Sequence, residues 1–93
     1  MEQMERVRNI RIQNILGLHA RAAGQIVELG NQYQSQLCLK KDGKEADGSS
    51  ILSILTLSCP KGTEIQAKIE GEDSEAFMTA LQDLFDQKFG EGK

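Results

Sequence analysis

Gly62-Thr63-Glu64-Ile65-Gln66-Ala67-Lys68-Ile69-Glu70-Gly71-Glu72-Asp73-Ser74-Glu75 is the stretch on which the reading of the fold turns. From Thr63 to Glu70 apolar and polar residues alternate, with Ile65, Ala67 and Ile69 on one side. That period of two is the mark of a strand with one buried face. Gly71 interrupts it, and the acidic residues that follow suit the positive N-terminal end of a helix. Phe77, Leu81, Leu84 and Phe85 then form the apolar stripe of a final helix. Phe89 to Lys93, past the last repeat of that stripe, is expected to be a frayed tail.

Upstream the same rules place the other elements. Val7 to Gln13 alternates around Ile10 and Ile12 and reads as a strand. Asn14 to Gly17 is a connection. From Ala20 the period lengthens, because Ala20, Ala23, Ile26 and Val27 share one helical face, and Gly30-Asn31 ends that helix. Ser35 to Lys41 is a second strand, with Leu37 and Leu39 inward. Asp42-Gly43 predicts a type I′ hairpin, whose two central residues both need positive φ. Lys44 to Asp47 returns as a short strand. Ser49-Ser50 caps a short apolar helix over Ile51 to Leu57, in which Ile54 and Leu57 are expected in the core. Cys59-Pro60-Lys61-Gly62 is a loop. The order is β-α-β-β-α-β-α in a single domain spanning 1–93.

Composition narrows the function classes. Lys plus Arg is 11 against 14 acidic residues, a net charge of −3. This argues against nucleic-acid binding, which needs clustered positive charge. Neither an apolar run long enough to span a bilayer nor a signal-peptide core stands out, so no membrane insertion or export is expected. Cys38 and Cys59 are too few for a disulfide scaffold and are expected as reduced thiols in the cytoplasm.

His19 is the only histidine. It stands between Gly17-Leu18 and the helix that begins near Ala20. The first amides of a helix lack internal partners, and with the macrodipole they form a site for an anion. The same positive helix end disfavours an imidazolium and favours a neutral, nucleophilic ring. Arg21 brings planar donors suited to phosphoryl oxygens. On composition alone, His19 reads more readily as a surface or capping histidine. One histidine and two distant cysteines lack metal-ligand spacing, so no metal is expected. No P-loop is present, neither Cys38 nor Cys59 sits in a known nucleophile motif, and a single histidine is all that could serve a nucleophile as base.

At these residues a family resemblance enters. Leu16-Gly17-Leu18-His19-Ala20-Arg21-Ala22-Ala23 resembles the phosphorylation-site motif of HPr, the histidine-containing phosphocarrier of the bacterial phosphotransferase system. The resemblance continues through Asp42-Gly43-Lys44, Ser50-Ile51-Leu52, Lys61-Gly62-Thr63-Glu64-Ile65 and Glu70-Gly71-Glu72-Asp73. It implies an α+β open-faced β-sandwich, a four-stranded antiparallel sheet with three helices on one side. It further implies a carrier rather than an enzyme, with no cofactor, monomeric and cytoplasmic. His19 would accept a phosphoryl group on Nδ1 from enzyme I and pass it to EIIA-type proteins, with Arg21 supporting the phosphate. Leu18, Ala20, Ile51, Leu52 and Leu55 match the apolar docking patch for these partners.

Ser50 matches the serine that HPr kinase/phosphorylase modifies in some bacteria, although Ser49 and Ser53 depart from that motif. It is also a simple N-cap. Ala22 stands where the family usually has proline; a slightly less rigid active loop with intact chemistry is expected, because alanine is also a good helix former. Ile15 and Leu16 are expected either to pack beneath their loop or to widen the docking face. Leu16 to Ala23, Ile54-Leu55-Thr56-Leu57 and Leu84 to Phe89 look more like the nitrogen-regulatory branch of the family than the sugar-uptake branch. Two other classes compete. An RNA-binding module of related strand order needs aromatics on strands, yet Tyr33, Phe77, Phe85 and Phe89 fall outside them. A small-molecule regulatory domain leaves His19 without a role.

Overall fold

A computed structural model describes residues 4–91. The chain runs β1 (Glu5–Arg11), α1 (Ala20–Gly30), β2 (Gln36–Lys41), β3 (Lys44–Asp47), α2 (Ile51–Leu55), β4 (Glu64–Glu70) and α3 (Ser74–Asp86), and closes with a short turn, Lys88–Gly90. The four strands form one antiparallel sheet in the order β1-β4-β2-β3. Ile65, Ala67 and Ile69 of the central strand β4 are buried, as their alternation predicts. In register with them, Ile10 of β1 pairs with Ile65, and Leu39 of β2 with Ala67. These residues, with Ile26, Ile54, Phe77, Leu81 and Phe85 from the helices, make one core against one face of the sheet. Each such aliphatic or aromatic side chain contributes about 1.5–3 kcal/mol by leaving water. The result is the open-faced α+β sandwich that the resemblance implies.

Local chemistry explains most boundaries. Asp42 and Gly43 adopt φ of 50° and 82°, the pair of left-handed residues a type I′ turn requires. Ser50 caps α2, its side chain accepting from the Ser53 N–H at 3.2 Å. That helix stops at Leu55, short of the predicted Leu57, and Ser58 turns to φ 54°. Beyond that end, Lys41 donates to the carbonyls of Leu57 (3.0 Å) and Ser58 (2.6 Å), so a cation from β2 ties down the turn that follows α2. In α3, Met78 takes an inner position while Leu84 is only half-buried.

Asp73, in the acidic stretch that opens α3, has a second role. It stands at the N-cap of α3 without capping it. Its carboxylate instead accepts from the backbone N–H of Gln34 (2.8 Å) and Ser35 (2.9 Å) and from the Ser35 hydroxyl. The loop between α1 and β2 is thereby pinned to the start of α3.

The chain end is the main correction to the fold. Phe89 is 3% exposed and packs edge-on against Phe85, with ring centroids 5.0 Å apart. Gln25 of α1 donates to the Phe89 carbonyl at 3.2 Å. Residues 88–91 are therefore docked on the body, because Phe89 adds one more apolar contact beyond the helical stripe. Residues 92 and 93 of the expected frayed tail lie outside the described residues.

Candidate functional site

The site is built where the β1–α1 connection meets the loop after α2. Ile12 continues the pairing of β1 by donating to Thr63 at 2.8 Å and accepting from Gly62 at 2.7 Å. Gly17 then passes through φ 68°, with its α-carbon pressed against the Cys59-Pro60 backbone. A β-carbon there would lie 2.4 Å from the Cys59 carbonyl oxygen, so only glycine fits. The next amide, Leu18 N–H, donates to that Cys59 carbonyl at 2.9 Å. Two loops distant in sequence are thus clamped together immediately before His19.

Asn14 braces the connection from within. It is fully buried, and its Nδ2 donates to the Gly17 carbonyl at 2.8 Å and to Glu91 Oε1 at 3.1 Å. Its Oδ1 has no hydrogen-bond partner among the described residues, a cost of about 1–3 kcal/mol that the two donor bonds oppose.

His19 is the N-cap residue of α1, with extended backbone and no side-chain cap bond. The first bond within the helix runs from the Ala23 N–H to the His19 carbonyl at 2.9 Å. The amides of Ala20, Arg21 and Ala22 precede it and have no helical acceptor. Ala22 keeps an N–H that proline would lack. The His19 side chain is 25% exposed, so the ring is anchored but reachable. Arg21 is exposed on the first turn beside it.

Glu91 completes the cluster, and sequence reasoning missed it. Its side chain is 7% exposed. Oε2 is hydrogen-bonded to His19 Nε2 and lies 3.8 Å from Arg21 Nη2, while Oε1 accepts from Asn14. The bond from His19, followed by that from Asn14 and the charges of His19 and Arg21, holds the Glu91 carboxyl below the usual glutamate range against the opposing effect of burial. The carboxylate arrives through a left-handed turn in which Lys88, Phe89 and Gly90 have φ of 55°, 56° and 77°. For the two non-glycine residues this conformation costs roughly 1–2 kcal/mol each. Buried Phe89 is the anchor that sustains it. The one available signal in the sequence was an aromatic followed by glycine after the end of the α3 pattern.

The expected docking residues divide. Ile51 and Leu52 are exposed on α2, and Ala20 is exposed at the start of α1. Ile51 Cδ1 approaches α1 at Gly24, which places α2 beside the helix that carries His19. Leu55 is half-buried against the core. Leu18 is corrected: it is 6% exposed and belongs to the core cluster, so its side chain offers no docking contact. Ile15 and Leu16 do not pack beneath the loop. They are 57% and 62% exposed and enlarge the apolar surface next to the site.

Ser50 is half-buried in its capping role. No group of three or more His, Cys, Asp or Glu residues among the described residues is placed to hold a metal. Burial pushes both the Cys38 and the Cys59 thiols up, so each stays protonated rather than becoming a nucleophilic thiolate. Among the described residues no helix is long and apolar enough to cross a membrane.

Comparison with known proteins agrees with this geometry. The family described as "PTS HPr component phosphorylation site" matches residues 7–87. The Phosphocarrier protein HPr of Xylella fastidiosa is 39% identical over 80 residues, covering 86% of this chain and 90% of the relative. That of Neisseria meningitidis is 38% identical over 85 residues, covering 91% and 96%. The crystal structure of HPr-C-His from Thermoanaerobacter tengcongensis superimposes with a TM-score of 0.88 at 37% identity, covering 92% of this chain and 97% of that one. The chain therefore belongs to the HPr family of the phosphotransferase system, whose members are phosphocarriers and not enzymes.

Proposed function

We propose that His19 carries the phosphoryl group, taking it from phosphorylated enzyme I and giving it to an EIIA-type protein. The observation that carries this reading is the placement of the ring. It is part-exposed at the N-terminus of α1, beside three amides without helical acceptors and next to Arg21. The lone pair of one ring nitrogen attacks phosphorus, and the bond from phosphorus to the donor breaks with its electron pair leaving on the donor. The helix amides and Arg21 then face the new phosphoryl oxygens. With Nε2 bonded to Glu91, Nδ1 is the nitrogen left for attack. No metal or cofactor is required, since the donor supplies the activated group.

Ala20, Ile51 and Leu52, with Leu55 at the edge and Ile15 and Leu16 added, form the surface on which both protein partners dock in the cytoplasm. Within the family we assign the chain to the nitrogen-regulatory relay rather than to sugar uptake, on the segments Leu16 to Ala23 and Ile54 to Leu57. A gene neighbourhood holding a nitrogen-type EIIA without a sugar permease supports that assignment, and a dedicated sugar permease operon contradicts it. Ser50 is a secondary site for HPr kinase/phosphorylase. A phosphate there adds roughly two negative charges at the start of α2, next to the apolar docking surface. Intact mass after incubation with that kinase and ATP tests it, and an unmodified Ser50 removes the idea.

The central test is incubation with enzyme I and phosphoenolpyruvate. The expected result is one added phosphate, acid-labile and base-stable, absent in His19→Ala. Labelling that persists in His19→Ala refutes the assignment.

A further inference from the structure

We propose that Glu91 is a positioning residue for His19, accepting the Nε2–H so that Nδ1 presents the lone pair and then neutralising the ring when Nδ1 bears phosphate. The inference rests on the reading of His19 as the phosphoryl carrier and adds a second participant from the opposite end of the chain.

A neutral imidazole has one N–H and one lone pair, and whatever accepts the N–H decides which nitrogen can attack. The described residues supply one partner for the ring, the Glu91 carboxylate at Nε2. A carboxylate is acceptor-only, so Nε2 must be the protonated nitrogen. This is the division of labour by which a buried acid orients a catalytic histidine in hydrolases. Here the histidine is itself the nucleophile.

The carboxylate is also held for the task. Its other oxygen is fixed by Asn14, which in turn holds the Gly17 carbonyl two residues before the ring. Its backbone is fixed by the Glu91 N–H to Lys88 carbonyl bond at 3.0 Å and by buried Phe89, whose carbonyl accepts from Gln25. A loose surface glutamate would show none of these restraints. The Glu91 carboxyl sits below its usual range with the His19 bond as the largest cause, consistent with an ionised acceptor at neutral pH.

Charge follows the same path. Attack by Nδ1 forms the N–P bond and leaves Nε2 still carrying its proton, so the phosphorylated ring is a cation. Glu91 lies against that cation. Arg21, 3.8 Å from the same carboxylate, is the other charge reaching it. α2 brings no charged side chain to this end, and the loop after it carries only Lys61, which is exposed. When the acceptor takes the phosphoryl group, the N–P electrons return to Nδ1. Neither Nε2 nor Glu91 gains or loses a proton in the cycle.

The test uses the full chain labelled with 15N-histidine, with Glu91→Gln and Glu91→Ala as variants and His19→Ala as control. In the native protein a downfield Nε2–H proton coupled to Nε2 is expected. It should move upfield in Glu91→Gln and be lost to exchange in Glu91→Ala, a change that a merely structural role for Glu91 would not produce. With enzyme I and phosphoenolpyruvate, initial phosphorylation of Glu91→Ala is expected at least ten-fold slower than native, with Glu91→Gln between them. A Glu91→Ala protein phosphorylated at the native rate or faster overturns the inference and leaves the assignment of His19 intact. A native chain that takes no phosphate on His19 overturns that assignment, and this inference falls with it.

Discussion

At the scale of single residues, the site depends on atoms that have no chemistry of their own. Gly17 combines a left-handed backbone with contact to the Cys59 carbonyl, and Leu18 donates to the same oxygen. Gly17→Ala is expected to destabilise the protein by about 2–5 kcal/mol, the sum of a left-handed alanine and local overpacking. Urea denaturation gives the value. Because the strain falls two residues before His19, phosphoryl acceptance should drop even in conditions where the fold persists. This position was half legible in the sequence: Gly17 could be read as part of a connection, but the wall it presses against comes from a loop far along the chain. Leu18, Ile15 and Leu16 show the same limit. All three are apolar residues of one short connection, and no periodicity inside a loop says that Leu18 turns inward while Ile15 and Leu16 turn out.

At the scale of elements, helix starts and strand faces followed the local pattern, whereas the chain end did not. A helical stripe ends where its spacing ends, and Phe89 lies beyond it in a left-handed turn. Phe89→Ala is expected to cost about 2 kcal/mol. That is less than an interior phenylalanine, because the tail can peel away instead of leaving a cavity. The loss should be accompanied by release of Glu91, read as disappearance of the downfield Nε2–H signal of His19 and faster amide exchange over residues 88–91. An unchanged His19 signal would show that the turn does not hold the carboxylate.

At the scale of the molecule, carboxylates tie distant segments together and set the response to acid. The Ser35 hydroxyl bond is the main reason that the Asp73 carboxyl lies below its usual range, followed by the Gln34 amide. A group held below its unfolded value gives stability that is complete above that unfolded value and is lost as pH falls through the folded one. The native protein should therefore lose thermal stability from about pH 4 downward. Asp73→Asn, which cannot ionise, should be less stable at pH 7, and its melting temperature should converge on the native value as pH falls through that window. Parallel melting curves across the range would refute the link.

By itself the sequence determined the strands, the helices, their order and the one histidine at a helix start. Those follow from local periodicity, turn chemistry and capping, which act over a few residues. Only the tertiary structure decided that Glu91 meets that histidine and that Asn14 braces Glu91. The contact joins residues 72 positions apart, and its existence depends on how packing of Phe89 redirects the chain rather than on any preference Glu91 carries within its own stretch.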